Sequence, residues 1–206
     1  MSVTTSTQAD RGGSAVPPGL TTSERILVGA AEMTAEIGWS GVTMAGLAER
    51  VGVSRQTVYN EWGNRDRLAE AMVLRELGAF LDQVDAGFAT HPSDVRAGTR
   101  AAIDSVLGLA RVNPLLRAIV TATHGAETEL VPLLTTRADV VIAVASERVR
   151  DRLRMYVEVD EARLRTVADL LVRTVLSHVM QPSPDTSDVA RALAEATDLL
   201  LASERT

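Results

Sequence analysis

The densest run of hydrogen-bonding side chains in this 206-residue sequence lies between positions 54 and 65. Ser54, Arg55, Gln56, Thr57, Tyr59, Asn60, Asn64 and Arg65 are interleaved there with Val58, Trp62 and Gly63. A guanidinium can grip a guanine edge or a phosphate, a carboxamide an adenine edge, and hydroxyls the phosphate oxygens. This is recognition chemistry. Bond-breaking chemistry has no comparable signature, because the chain shows no nucleophile motif, paired-acid motif or phosphate-binding glycine loop. It has no cysteine, and His91, His124 and His178 are too far apart for metal-ligand spacing. No metal and no cofactor are expected.

Side chains of this kind read a surface only when rigid elements present them. The segment "TTSE" at 21–24 forms a capping-box pattern, with Thr21 as N-cap and Glu24 three residues on. Ile26, Ala30, Met33 and Ile37 follow at spacings of four, three and four, which makes one face of a first helix that Gly38 can end. Thr43 can cap a second, short helix whose Leu47, Ala48 and Val51 face inward and which Gly52 stops. Ser54 caps a third, "RQTVYNEW", and Asn64 a fourth that begins "RDRLAEAMVLRELGAFLDQV". The small Ala48 lets the second and third helices approach, Gly52 supplies the turn, and Val53 and Val58 fill the angle between them. The pattern predicts a helix-turn-helix whose third helix buries Val58 and Trp62 and turns its polar residues outward.

The stretch "TMAGLAERVGVSRQTVYNEWGNRDRL" resembles the TetR family of bacterial transcriptional repressors. The likeness runs from about Thr21 to Leu68 and rests on Thr43, Leu47, Ala48, Gly52, Val53, Ser54, Thr57, Tyr59, Trp62 and Leu68. It implies DNA contacts from Thr43, Arg55, Gln56, Thr57, Tyr59, Asn60 and Arg65, to which the capping residues Ser54 and Asn64 add helix N-termini that suit phosphate. It further implies that the helices after the fourth form a ligand pocket and a dimer surface. Two positions depart from the family pattern: Glu61 stands where basic or histidine side chains are common, and Arg65 replaces a usual lysine. "RQTVYNEWG" is also similar to a branch that includes regulators of alkane-oxidation genes.

Charge pulls against DNA binding. The chain carries -6 overall, and Thr21–Glu70 holds five Arg against seven Asp or Glu. Only Arg50, Arg55, Arg65 and Arg67 form a local positive cluster. All 21 basic residues are arginine, so phosphate contacts fall to a few guanidinium groups, hydroxyls and helix N-terminal amides.

Beyond about Gly87 the pattern is helical throughout, giving about nine helices and an all-α fold. Helices are expected over "DVRAGTRAAIDSVLGLARVN", from Pro114 to Gly125, from about Glu127 to Met155, from Asp160 to Met180, and from about Ser187 to Ala202. The helix from Asp160 carries two apolar stripes, one with Leu164, Ala168, Leu171 and Val175, the other with Val167, Val172, Leu176 and Val179. A helix serving one core needs a single stripe. Val172, Leu176 and Val179, with Leu193, Ala196 and Leu200 of the last helix, are therefore expected at a two-fold interface between subunits.

The larger unit holds only three aromatic residues, Phe80, Phe88 and Tyr156. An aliphatic pocket is expected, lined by Phe80, Ile103, Val106, Leu107, Leu116, Ile119, Val120, Thr123, Leu134, Val141 and Thr174, with His178 at its edge or at the interface. The expected organisation is a disordered arm over 1–20, a helix-turn-helix DNA-binding domain over 21–68, and a helical ligand-binding and dimerisation domain over 69–206. The partners are double-stranded operator DNA, a second copy of the chain and a small apolar ligand. No apolar run reaches the roughly 20 residues that span a bilayer, and "MSVTTSTQADRGG" lacks a signal pattern. A cytoplasmic protein with no membrane partner is expected. An all-helical enzyme and a DNA-independent dimeric interaction module remain as alternatives.

Overall fold

The computed structural model describes residues 19–122 and 138–202. Among the described residues there are nine helices and no strand: α1 (Thr22–Gly41), α2 (Met44–Val51), α3 (Arg55–Trp62), α4 (Arg65–Ala89), α5 (Val95–Val112), α6 (Pro114–Ala122), α7 (Asp139–Arg154), α8 (Glu161–Met180) and α9 (Thr186–Ala202). The expected arm over 1–20 lies almost wholly outside the described residues. So do the start of the helix expected from Glu127, whose described part is α7, and the candidate pocket residues Thr123 and Leu134.

The first four helices start on the caps that the sequence offers. Thr21 Oγ1 accepts from the Glu24 amide at 3.2 Å and Glu24 returns a carboxylate to the Thr21 amide at 2.8 Å. Thr43, Ser54 and Asn64 accept from the amides of Gly46, Thr57 and Arg67 at 3.0, 3.0 and 2.9 Å. Each bond satisfies one of the donors that a helix N-terminus leaves orphaned. α1 breaks at Gly38, as expected, and a last turn follows to Gly41. Gly52 closes α2 at φ +73°, in the left-handed region, and its amide donates back to Glu49. A residue with a Cβ is strained there even though the space around it is open.

Two apolar clusters hold the molecule together. The first gathers Ile26, Ala30, Leu47, Val58, Leu68 and Met72 around the short helices, and continues without a break into Leu115, Leu116, Ile119 and Val141. The second joins the far end of α4, through Val84 and Phe88, to α5, α7, α8 and α9. The boundary expected after Leu68 thus falls inside α4, which belongs to both clusters. α4 packs most extensively on α5, and the crossing is tight at Gly87, where a Cβ would lie 2.4 Å from the Ala102 nitrogen. No side chain beyond glycine fits that approach.

Candidate DNA interface and apolar cavity

α3 divides its side chains as expected. Val58 is fully buried and Trp62 half-buried, whereas Arg55, Gln56, Tyr59 and Asn60 are exposed. Tyr59 keeps 48% of its surface in solvent, too much for an apolar ring that serves only the core. Gln56 Nε2 donates to Asn60 Oδ1 at 2.7 Å, one helical turn along, which orders two carboxamides on the exposed face. Ser54 and Thr57 share a hydroxyl–hydroxyl bond of 2.8 Å next to the Ser54 cap. Thr43, exposed at the start of α2, uses its oxygen as the capping acceptor. A capping hydroxyl still has its O–H to donate, and a phosphate is a suitable acceptor. Asn64, also exposed, caps the N-terminus of α4.

Two of the four arginines in the expected basic cluster are engaged by other groups of the protein, Arg50 in ion pairs at the surface and Arg65 in a part-buried contact. Arg50 bonds Glu36 at 2.6 and 2.7 Å and Glu32 at 3.3 Å. The hydrogen bond to Glu36, more than any other influence, raises the Arg50 pKa, and it holds the Glu36 carboxyl below its ordinary range. Arg65 donates to the Trp39 carbonyl and lies over the Trp39 ring, 4.7 Å from its centroid. It clamps the start of α4 to the end of α1. The phosphate contact expected of Arg65 therefore competes with a structural duty that the sequence did not reveal. Arg55 and Arg67 are exposed, as are the acidic Glu61 and Asp66.

Behind the short helices lies an elongated apolar cavity of about 130 Å³. Its α4 wall runs from Val73 to Phe88, about 22 Å at 1.5 Å per residue. Of the expected pocket residues, Phe80, Ile103, Val106, Leu116, Ile119 and Val141 line it together. Leu107 is buried in the second cluster instead, and Val120 is half-buried away from the lining. Thr174 turns its hydroxyl back to the Leu170 carbonyl, and His178 Nδ1 pairs with Ser183 Oγ at 2.8 Å; neither reaches the cavity.

Val172, Leu176 and Val179, expected on the subunit face, are half-buried and line the cavity of their own subunit. Leu193 is half-buried against the second cluster, whereas Ala196 and Leu200 are exposed. α4 contributes more than Phe80: Leu77 and Leu81, which lie toward the pocket by helical spacing, line the cavity, and so do Val73, Val84 and Phe88. Their periodicity was visible in the sequence but indistinguishable from plain core.

Two polar side chains join the lining, Glu76 and Thr99. Glu76 accepts from Asn113 Nδ2 at 3.1 Å and from Arg75 at 3.0 Å. Asn113, buried, caps α6 through the Leu116 amide at 2.9 Å. One side chain thereby links the middle of α4 to the start of α6, which packs on α1.

Residues 26–72 match the family model described as bacterial regulatory proteins, tetR family, and residues 94–198 match that of a bacterial tetracyclin repressor C-terminal domain. The chain belongs to the TetR family. The N-terminal TetR match covers α1 to α3 and the start of α4, and the C-terminal match covers α5 to α9. The TetR chain is 29% identical to the HTH-type transcriptional regulator AlkX of Mycobacterium tuberculosis over 157 residues, 76% of this chain and 74% of that one. It superposes on the TetR family repressor AlkX from Dietzia sp., implicated in biodegradation of n-alkanes, with a TM-score of 0.74 and 26% identity, covering 89% of this chain and 97% of the other. A TetR-family regulator from Streptomyces coelicolor shares the fold at a TM-score of 0.66 and 19% identity, over 88% and 99% of the two chains. As a TetR protein the molecule is a helix-turn-helix transcriptional regulator and not an enzyme. Among its described residues no helix is long and apolar enough to cross a membrane.

Proposed function

We propose that the chain is a homodimeric repressor, with α3 of each subunit in the major groove of a near-palindromic operator, and that an uncharged aliphatic molecule in the cavity releases it. The reading rests on one observation: the cavity is walled at its near end by Leu115, Leu116 and Ile119, which belong to the same packed cluster as Ile26, Leu47 and Val58 of the DNA unit. A void of about 130 Å³ is the size that takes a benzene-sized molecule. A longer chain must spread α4, α6 or α8, and α4 and α6 bear directly on the short helices. A ligand that binds the spread state better shifts the two α3 helices out of groove spacing; one indifferent to the two states shifts nothing. The AlkX from Dietzia, implicated in n-alkane biodegradation, supports a linear aliphatic ligand.

For the second copy we infer the outer face of α8. There Leu170 is 49% exposed, between α7 with its exposed Val140 and Val144 and α9 with Ala196 and Leu200. Operator fragments selected from random DNA should be two-fold symmetric, and should be released by octan-1-ol or nonane but not by a planar organic cation. Ile103→Trp, which fills the cavity, should bind the operator and lose the response. Leu170→Glu should sediment as a monomer and lose operator affinity, because one dimer holds two half-sites. Release of the Ile103→Trp variant at wild-type ligand concentrations would reject the cavity as the sensor.

A further inference from the structure

Thr99 stands apart in the cavity wall. It sits in the second turn of α5 and is 1% exposed, and its hydroxyl has no hydrogen-bond partner among the described residues. Threonines within helices usually return the hydroxyl to the carbonyl one turn back, as Thr34, Thr166 and Thr174 all do here. Thr99 does not, although leaving a buried hydroxyl unpaired is costly. Of the other lining residues, Phe88, Ala102, Ile103 and Val149 belong to the second cluster, whereas Leu115, Leu116 and Ile119 belong to the cluster of the DNA unit. Glu76, the other polar lining residue, is already engaged with Asn113 and Arg75.

We propose that Thr99 is the polar anchor for the ligand, and that the ligand is an aliphatic chain ending in an uncharged oxygen, of which a primary alcohol is the simplest form. The inference rests on the aliphatic cavity proposed above and adds the chemistry of its head group. The Thr99 hydroxyl can both donate and accept, so it can pair with an alcohol in either sense. A carboxylate head is disfavoured because no arginine or histidine lines the cavity among the described residues. A buried anion without a cation is penalised heavily. A plain alkane leaves the hydroxyl without a partner.

The test uses the full chain and three probes of similar length, octan-1-ol, nonane and octanoate, with dissociation constants measured by displacement of a fluorescent aliphatic reporter. On Thr99→Val, the ratio of octan-1-ol to nonane affinity should fall about three- to tenfold, the worth of one net hydrogen bond. On Thr99→Ser it should stay within about twofold, since the hydroxyl is kept. The ligand-free Thr99→Val variant should melt no lower than wild type, because an unpaired buried hydroxyl has been exchanged for a methyl of the same shape. An unchanged ratio in Thr99→Val, a clear fall in its melting temperature, or tightest binding of octanoate would overturn the anchor while leaving an aliphatic cavity standing. Failure of all three probes to bind the wild type would overturn the cavity reading and the anchor with it.

Discussion

The short helices and the larger helical unit are built on different physics. Side-chain caps start helices in both, at Thr21, Thr43, Ser54 and Asn64 in the first and at Asp94, Asn113 and Asp160 in the second, but α2 and α3 have only eight residues each and are joined by the Gly52 turn. Their geometry is specified locally and paid out in small increments. The larger unit depends on helix faces that meet from distant parts of the sequence, as where α5 lies against Gly87 of α4 or where α7 and α8 close the cavity. A change in the first unit should therefore cost little stability and much DNA recognition. A change in the second should do the reverse.

The largest effect is expected at Gly87. Its Cβ would meet backbone atoms of α5 at 2.4 to 2.5 Å, so Gly87→Ala should destabilise by about 3 kcal/mol or more. Chemical denaturation would read this as a lower midpoint. A loss under about 1 kcal/mol would mean that the α4–α5 crossing is softer than it looks, and would weaken the contrast between the units.

Next come the arginines of the DNA face. Arg55→Ala should lower operator affinity by about 1–3 kcal/mol and relax preference at particular bases. Arg50→Ala should leave base preference and the salt slope unchanged, because Arg50 is committed to Glu32 and Glu36. Log affinity of the wild type should fall gently with log salt, by the slope of only a few phosphates per subunit. Competitive binding at several salt concentrations separates these outcomes. Equal losses for the two variants would show that the Arg50 pairs open on DNA.

A smaller effect belongs to Asp85 on α4, which accepts from Arg152 of α7 at 2.7 Å and also pairs with Arg148. The hydrogen bond from Arg152, before any other cause, holds its carboxyl below the ordinary range. A depressed carboxylate contributes stability above the unfolded-state value of about 4, and loses it as pH falls through the folded-state value. Asp85→Asn should cost about 1–2 kcal/mol at pH 7, and its melting temperature should converge on that of the wild type below about pH 4. A gap that persists in acid would assign the effect to packing instead.

The smallest expected loss is Ser54→Ala, about 1 kcal/mol of stability for a lost N-cap. Its effect on DNA should be disproportionate, since Ser54 also holds the Thr57 hydroxyl at 2.8 Å. If operator affinity falls only in proportion to stability, the cap is structural alone.

The sequence by itself determined the helix starts, the glycine turn at Gly52 and the division of α3 into a buried Val58 and an exposed polar face. Capping and turn geometry act within three or four residues, and adjacent positions in the chain carry all the information they need. It also supplied the lining residues Ile103, Val106, Leu116 and Ile119, but the same stripes on α5 and α6 carry Leu107 and Val120, which lie off the cavity. Tertiary structure alone decided the rest. Both stripes of α8 are apolar, and periodicity does not tell a cavity wall from a subunit surface; only the positions of α4, α5 and α7 turn Val172, Leu176 and Val179 inward. Arg50 and Arg65 read as free cations until Glu36 of α1 and the Trp39 ring came beside them from 14 and 26 residues away. Thr99 read as one more helical threonine, because whether a hydroxyl finds a partner depends on which helices surround it, and no local pattern records that.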